Sequence, residues 1–178
     1  MTKFTTKVYA VVVMFAVAMM SFAYAQSITG KSVKVAVDGT SPMHDWTMSG
    51  SNGTFAGTVS GNTIKNVKFT FPAKNLKSTK GKMMDNKAYG ALKADKNPTA
   101  SFTATSMNIG KGNVTGKMTI GGVSKNVTFP VTVAKSGSSY NVAGTYSMKL
   151  SDYGMERPGF MGVRTGDAVT VKVNITAN

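Results

Sequence analysis

The chain has 178 residues, 42% of them hydrophobic, and 21 Lys and Arg against 7 Asp and Glu give it a formal net charge of +14. Those values fit one globular domain and exclude both a disordered chain and a multi-span membrane protein. With no cysteine and one histidine, thiol catalysis, Cys-ligated zinc, iron–sulfur clusters and a lipid anchor on a cleavage-site Cys are excluded as well.

Lys3 and Lys7 open the chain, an apolar run from Val8 to Phe22 follows, and Ala23-Tyr24-Ala25 supplies small residues where a signal peptidase reads them. The run is about 15 residues, short of the roughly 20 that a spanning helix needs. The expectation is an export signal over 1–25, cut before Gln26, and one domain over 26–178 in the periplasm or secreted, with no membrane span. Without disulfides, that domain must be held by its core alone.

Beyond Gln26 the sequence alternates between apolar and polar residues. Val33, Val35 and Val37 hold one parity, then Phe55 and Val59 with Gly57 between them, then Val67, Phe69 and Phe71. Further on, Val114, Met118 and Ile120 alternate with Thr and Lys, as do Val127, Phe129, Val131 and Val133. Tyr140, Val142, Tyr146, Met148 and Leu150 form another set, and Val169, Val171, Val173 and Ile175 the last. One apolar face per segment is the signature of half-buried antiparallel strands. Turn chemistry separates them: Ser51-Asn52-Gly53, Gly61-Asn62, Gly110-Lys111-Gly112-Asn113 and Ser136-Gly137, with Gly121-Gly122 placed as a tight hairpin. Pro130 marks an edge or a bulge, because proline cannot donate to a ladder.

The period changes once. Between Lys80 and Lys96, Met84, Ala88, Ala91 and Leu92 recur at helical spacing, with Gly90 as a flaw and Asn97-Pro98 as the stop. A Gly-rich stretch from Ser151 to Gly166, holding Glu156, Arg157 and Arg164, joins the last two strands. The predicted fold is all-β: about eight antiparallel, mostly hairpin-linked strands with one short helix, which suit a barrel or a sandwich; an eight-stranded closed sheet can enclose one small ligand.

The charge does not point to nucleic acid. Only Arg157 and Arg164 are arginines, and the lysines are scattered singly along strands. A solvated basic surface accounts for them; attraction to anionic lipid head groups or to envelope polysaccharide is the sharper reading. His44 beside Asp45 evokes a nucleophile–base pair, but neighbours on an extended strand point to opposite faces. One histidine is too few for a His-based metal site. The chain is read as a binding protein, with no catalytic residue, no metal and no cofactor.

Several blocks carry a family resemblance in order and spacing. They are Thr40-Ser41-Pro42-Met43-His44-Asp45-Trp46, Gly53-Thr54-Phe55-Ala56-Gly57, Met84-Asp85-Asn86, and Ala91 to Phe102 through Asn97-Pro98. Gly116-Lys117-Met118-Thr119-Ile120-Gly121-Gly122-Val123-Ser124-Lys125 follows, then Tyr153-Gly154, Met161-Gly162 and Gly166 to Val171. From about Val35 onward the chain resembles the YceI-like family, the lipid- and polyisoprenoid-binding proteins of bacterial envelopes. The resemblance implies an all-β fold, an antiparallel eight-stranded lipocalin-like barrel in the periplasm, holding an elongated apolar ligand, a polyisoprenoid or an isoprenoid quinone, as a carrier, store or sensor. The alternative is a ligand-free structural or stress-related envelope protein with a filled barrel.

A site for such a tail needs a long apolar tube with polar groups only at its mouth. The candidates for the wall are Trp46, Phe55, Phe69, Met83, Met84, Leu92, Phe102, Met118, Phe129, Tyr146, Met148 and Phe160. The candidates for the polar mouth are His44, Arg157 and Arg164, the arginines being able to grip an anionic head group or to pair with Glu156 or Asp167. The chain departs from the family pattern at Met118, where Leu is usual, at Ala88-Tyr89-Gly90, where a Phe pair is usual, and at Ala100. Several inward positions are Gly or Ala, which leaves open a wider cavity or a better-filled one.

Overall fold

The computed structural model describes residues 25–160 and 162–178. The expected export signal, apart from Ala25, lies outside the described residues, as does the side chain of Phe160. The elements are β1 (Gln26–Gly39), β2 (Trp46–Ser51), β3 (Thr54–Ser60), β4 (Thr63–Pro72), β5 (Lys77–Ser78), α1 (Lys82–Ala91), β6 (Thr99–Asn108), β7 (Gly110–Ile120), β8 (Val123–Ser136), β9 (Ser139–Lys149), β10 (Gly159–Phe160), β11 (Val163–Arg164) and β12 (Ala168–Ala177).

The wall is a closed, eight-stranded antiparallel barrel. Strands run in the order β12-β9-β8-β7-β6-β4-β3-β1, and β12 pairs back onto β1 to close the ring. β2 and β3 make one interrupted stave. β1 pairs with both in one continuous register, from Gln26↔Val59 to Gly39↔Trp46, broken at Asn52-Gly53, where Asn52 is left-handed with φ 67. β5 is a short addition beside β2.

Strand direction gives the barrel two unlike ends. At the base lie the β3–β4, β6–β7 and β8–β9 turns, with the start of β1 and the end of β12. At the mouth lie the β1–β2 loop, α1, the β7–β8 hairpin and the long β9–β12 connection. Gly121 and Gly122, with φ 57 and 84, make the expected tight hairpin, since both central residues of such a turn need positive φ. The β8–β9 ladder covers only Val131–Ser136, so Pro130 is hydrogen-bonded through β7 alone and sits at an edge, as its missing N–H requires.

Closure needs bends, and bulges supply them. In β1 the inward residue changes parity from Ile28 to Val33 across a register shift at Gly30–Ser32. In β4 it changes from Ile64 to Val67 across Asn66, held at φ 52, and in the facing β6 from Ala104 to Met107. These slips hide the lower part of each strand from a strict two-residue period.

The base is sealed. Ile28, Ile64, Val133, Tyr140 and Ala177 are no more than 1% exposed. Inner-face glycines here and higher up do not widen the barrel; rings from neighbouring strands fill the space. A Cβ on Gly116 would stand 2.7 Å from the Phe102 ring, one on Gly39 2.2 Å from the Trp46 ring, and one on Gly144 3.3 Å from Phe129. Phe102, Phe129 and Tyr146 stack in series, with centroids 5.1 and 5.6 Å apart.

The helix sits over the mouth where Met84, Ala88 and Leu92 share its inward side. It stops at Ala91, well before Asn97-Pro98. Lys93 takes the left-handed conformation (φ 50), with Lys93 N–H bonded to Gly90 O and Ala94 N–H to Tyr89 O, each 2.9 Å. That is the six-to-one closure by which helices commonly end, and the backbone ends α1 before the proline is reached. Two side chains tie α1 to the segment below it. The Asp85 carboxylate accepts from Ser78 N–H at 2.7 Å and stands 3.6 Å from Lys77 Nζ. The Tyr89 hydroxyl lies 2.9 Å from the carbonyls of Lys74 and Leu76 and accepts from Lys77.

Candidate functional site at the barrel mouth

The inward face carries two clusters of buried apolar side chains. The larger runs from the base to the β7–β9 side of the mouth, where it takes in Ile120, Leu150, Tyr153, Met155 and Val169; the smaller, Val35, Met48, Phe71 and Leu76, lies under the β2–β5 side. Val37, Trp46, Phe69, Leu92, Val171 and Val173 touch both clusters, and all six are only partly buried. Val37, Val171 and Val173 belong to central strands and share the inward parity of fully buried neighbours (Val35, Val169, Ile175). Accessible surface at such positions means unfilled apolar space between the clusters.

A cavity of about 160 Å³ opens at the mouth, and of these six residues Trp46 lines it. Trp46, Met48, Met84 and Ala88 form its apolar floor, with Met43, Pro158, Gly159 and Val163 around it; Ser41, His44, Ser78, Lys80, Lys87 and Thr165 supply the polar groups. No carboxylate lines it. Trp46 belongs to both the cavity and the residues joining the two clusters, and is therefore the link between mouth and interior.

Local chemistry holds the rim. The Ser41 hydroxyl donates to His44 O at 2.7 Å and accepts from His44 N–H at 3.2 Å, making a tight turn of the β1–β2 loop. Trp46 Nε1 donates to Thr40 O at 3.1 Å, and the indole lies flat over Gly39, its cross-strand partner. Lys87 Nζ donates to Gly159 O and so bridges α1 and the β10–β11 hairpin across the opening. Behind that hairpin, Gly166 N–H bonds Thr40 O at 2.7 Å. Asp167 accepts from the Ser151 hydroxyl (2.6 Å) and N–H (2.9 Å), bonds that hold its carboxyl below the usual carboxylate range and anchor the long connection.

Sequence-derived candidates distribute unevenly over this geometry. Trp46, Met84 and His44 meet at the cavity, and Phe69 and Leu92 border the interior space. Phe129 and Tyr146 are partly buried on the large cluster, the Tyr146 hydroxyl 3.0 Å from that of Tyr153. Phe55, Phe102, Met118 and Met148 are buried core, none more than 9% exposed. Met83 faces solvent at 57% exposure, since one step along a helix turns it away from Met84. Arg157 and Arg164 are exposed and line no part of the cavity; the charge of Arg157 acts on Asp167 instead. Residues not singled out from sequence, Met43, Met48, Lys80, Lys87 and Val163, complete the site. Met48 was legible only through its parity with Trp46; Lys80 and Lys87 become mouth residues only once α1 is laid over the barrel.

His44 Nδ1 stands 3.0 Å from the Asp45 main-chain carbonyl, an interaction with backbone and not a catalytic dyad. Among the described residues no three His, Asp or Glu side chains converge as metal ligands, and no helix is long and apolar enough to cross a membrane.

A closed barrel with a sealed base, an apolar interior and a capped mouth is the architecture of the lipocalin-like barrels. The chain belongs to the YceI-like family: the model of the YceI-like domain matches residues 15–177. Solved structures share the fold. BcnA of Burkholderia cenocepacia superposes with a TM-score of 0.68 at 23% identity, over 82% of this chain and 96% of its own. A polyisoprenoid binding domain from Saccharophagus degradans, implicated in plant cell wall breakdown, gives 0.66 at 12% identity, over 85% and 97%. A Campylobacter jejuni YCEI protein gives 0.51 at 22% identity, over 64% and 71%. No curated protein matches the sequence.

Proposed function

We propose that the protein binds the apolar tail of a polyisoprenoid or isoprenoid quinone inside the barrel. It would act in the bacterial envelope, after export, as a carrier, store or sensor and not as an enzyme. The observation that carries this reading is the partly buried inward face at Val37, Phe69, Val171 and Val173, which shares Trp46 with the lining of the mouth cavity. Magnitude shapes it further. A cavity of about 150 Å³ holds benzene, so the mouth alone, at about 160 Å³, takes one ring or an isoprene unit or two. A longer tail must run past Trp46 between the two clusters. The head group then rests among Ser41, His44, Ser78, Lys80, Lys87 and Thr165. The polyisoprenoid binding domain among the structural relatives is consistent with this assignment.

A filled, ligand-free barrel is favoured by one specific observation, the aromatic rings seated over inner-face glycines. One experiment separates the two. Native mass spectrometry on protein taken from its own envelope, followed by extraction, reads a stoichiometric isoprenoid adduct under the first reading. A clean apo mass, with no uptake of added quinone or polyprenol, leaves the filled barrel. Trp46, the single tryptophan, reports independently: a quinone in the cavity quenches its fluorescence.

A further inference from the structure

Among the described residues, the two large apolar side chains that project farthest into solvent both lie at the mouth end of the barrel. Met43 is 78% and Met83 57% exposed, one on the β1–β2 loop and the other on α1, on either side of the cavity opening. Exposed Pro42 adjoins Met43. Lys80 and Lys87 line the same opening, exposed Lys82 adjoins Met83, and exposed Arg164 is on the β10–β11 hairpin. Apolar side chains ringed by cations on an exposed rim are the composition of a surface that rests on an anionic bilayer: the lysines meet phosphates while the apolar tips enter the head-group region. Among the described residues, no other large apolar side chain is comparably exposed beside the lysines elsewhere on the barrel.

We propose that the mouth rim docks on the surface of an anionic lipid bilayer, setting the cavity opening against the membrane. This rests on the lipid-binding reading for its purpose and not for its evidence. A tail leaving a bilayer for this barrel would then enter past Met43, Met84 and Trp46 with little exposure to water. The cationic contribution is about fivefold in partitioning per lysine near the surface and falls off as salt shortens the Debye length.

The test is flotation of the full-length mature protein with vesicles of phosphatidylcholine containing phosphatidylglycerol and no isoprenoid. Wild type floats at low salt with the anionic vesicles and not with pure phosphatidylcholine. Lys80→Gln with Lys82→Gln lowers partitioning by about twentyfold, whereas Lys65→Gln with Lys111→Gln, the same charge removed from the base end, leaves most of it. Met43→Ser with Met83→Ser lowers it severalfold at unchanged charge; both positions are exposed, so the fold is kept, as circular dichroism checks. Equal losses for the two lysine pairs, with no effect of the methionines, mean adsorption without orientation and overturn the proposal. So does failure of the wild type to float. Flotation without any isoprenoid adduct in native mass spectrometry sinks the carrier reading and leaves docking standing; an adduct without flotation does the reverse.

Discussion

Trp46 and Gly39 face each other across β1 and β2, and replacing that glycine tests how the mouth is built. A Cβ on Gly39 would lie 2.2 Å from Trp46 Cζ2 and 2.6 Å from Cε2, against an ordinary contact of 3.4–4 Å. Gly39 does not need positive φ, so Gly39→Ala strains no backbone; the indole must move by more than an ångström. Moving it takes Nε1 away from Thr40 O, now 3.1 Å distant, a loss of about 1 kcal/mol. Repacking an overfilled wall adds about 1–3 kcal/mol. The sum, about 2–4 kcal/mol, lowers Tm by roughly 5–15 °C for a domain of this size. Because the displaced ring lines the cavity, the same change alters ligand uptake. Urea denaturation followed by circular dichroism reads stability, and the Trp46 emission maximum reads the displacement. Gly112→Ala is the control, since its Cβ would meet nothing within 4 Å. A Gly39→Ala protein with unchanged stability and emission, equal to the control, would refute the packing account.

Four further outcomes follow from the geometry. Tyr146→Phe leaves the Tyr153 hydroxyl, in a residue 0% exposed, without its partner and costs about 1–3 kcal/mol in chemical denaturation; the double replacement with Tyr153→Phe restores part of that. Val171→Phe fills the space between the clusters: isoprenoid uptake in native mass spectrometry is lost while the fold is kept, whereas in a filled barrel it costs about 1–3 kcal/mol of stability. Acid titration exposes the barrel seam. Asp38 is held below its usual value by hydrogen bonds from Lys172 (2.8 Å) and Thr47 (2.6 Å), and Asp167 by Ser151. Their folded pKa values lie below the unfolded ones, so their stabilisation is whole above about pH 4 and is lost as pH falls through the lowered values; Asp38→Asn flattens that part of the stability–pH curve. Lys93→Gly, at the left-handed end of α1, raises stability by up to about 1 kcal/mol, read in the same denaturation assay.

β9, β12 and the upper part of β1 were readable because each keeps one parity along its length: Tyr140–Leu150, Val169–Ile175 and Val33–Val37 needed no tertiary knowledge. β6 was not readable by period. Its inward residues are Phe102, Ala104 and Met107, and the slip between the last two, matched by Asn66 across the ladder, erases the alternation. The same cause hid Ile28 and Ile64. For the site, periodicity says which residues point inward and nothing about which inward residues are covered. Val171 and Val169 look alike in sequence, yet one borders free space and the other is 3% exposed, a difference set by what α1 and the neighbouring strands bring above each.

Above the base the inward face of the β1–β12 seam is less closely covered at Val37, Val171 and Val173, for reasons visible in the residues around it. At the base the bulges bend the strands inward, and large side chains meet across a narrow section: Tyr140, Ile64, Ile28. Toward the mouth the inward residues of the β1–β12 seam are valines, and the opposing rings, Phe102 and Phe129, lean onto Gly116 and Gly144 within the wall. At the mouth, the attachments of α1 through Asp85 and Tyr89 lie on its β5 side, and Lys87 Nζ bonds Gly159 O of the β10–β11 hairpin. Removing that lysine with Lys87→Ala therefore opens the mouth without loosening the barrel. Isoprenoid release from loaded protein, timed by recovery of Trp46 fluorescence after mixing with excess vesicles, becomes faster at unchanged Tm. An unchanged release rate would mean that the tail does not leave between α1 and the hairpin.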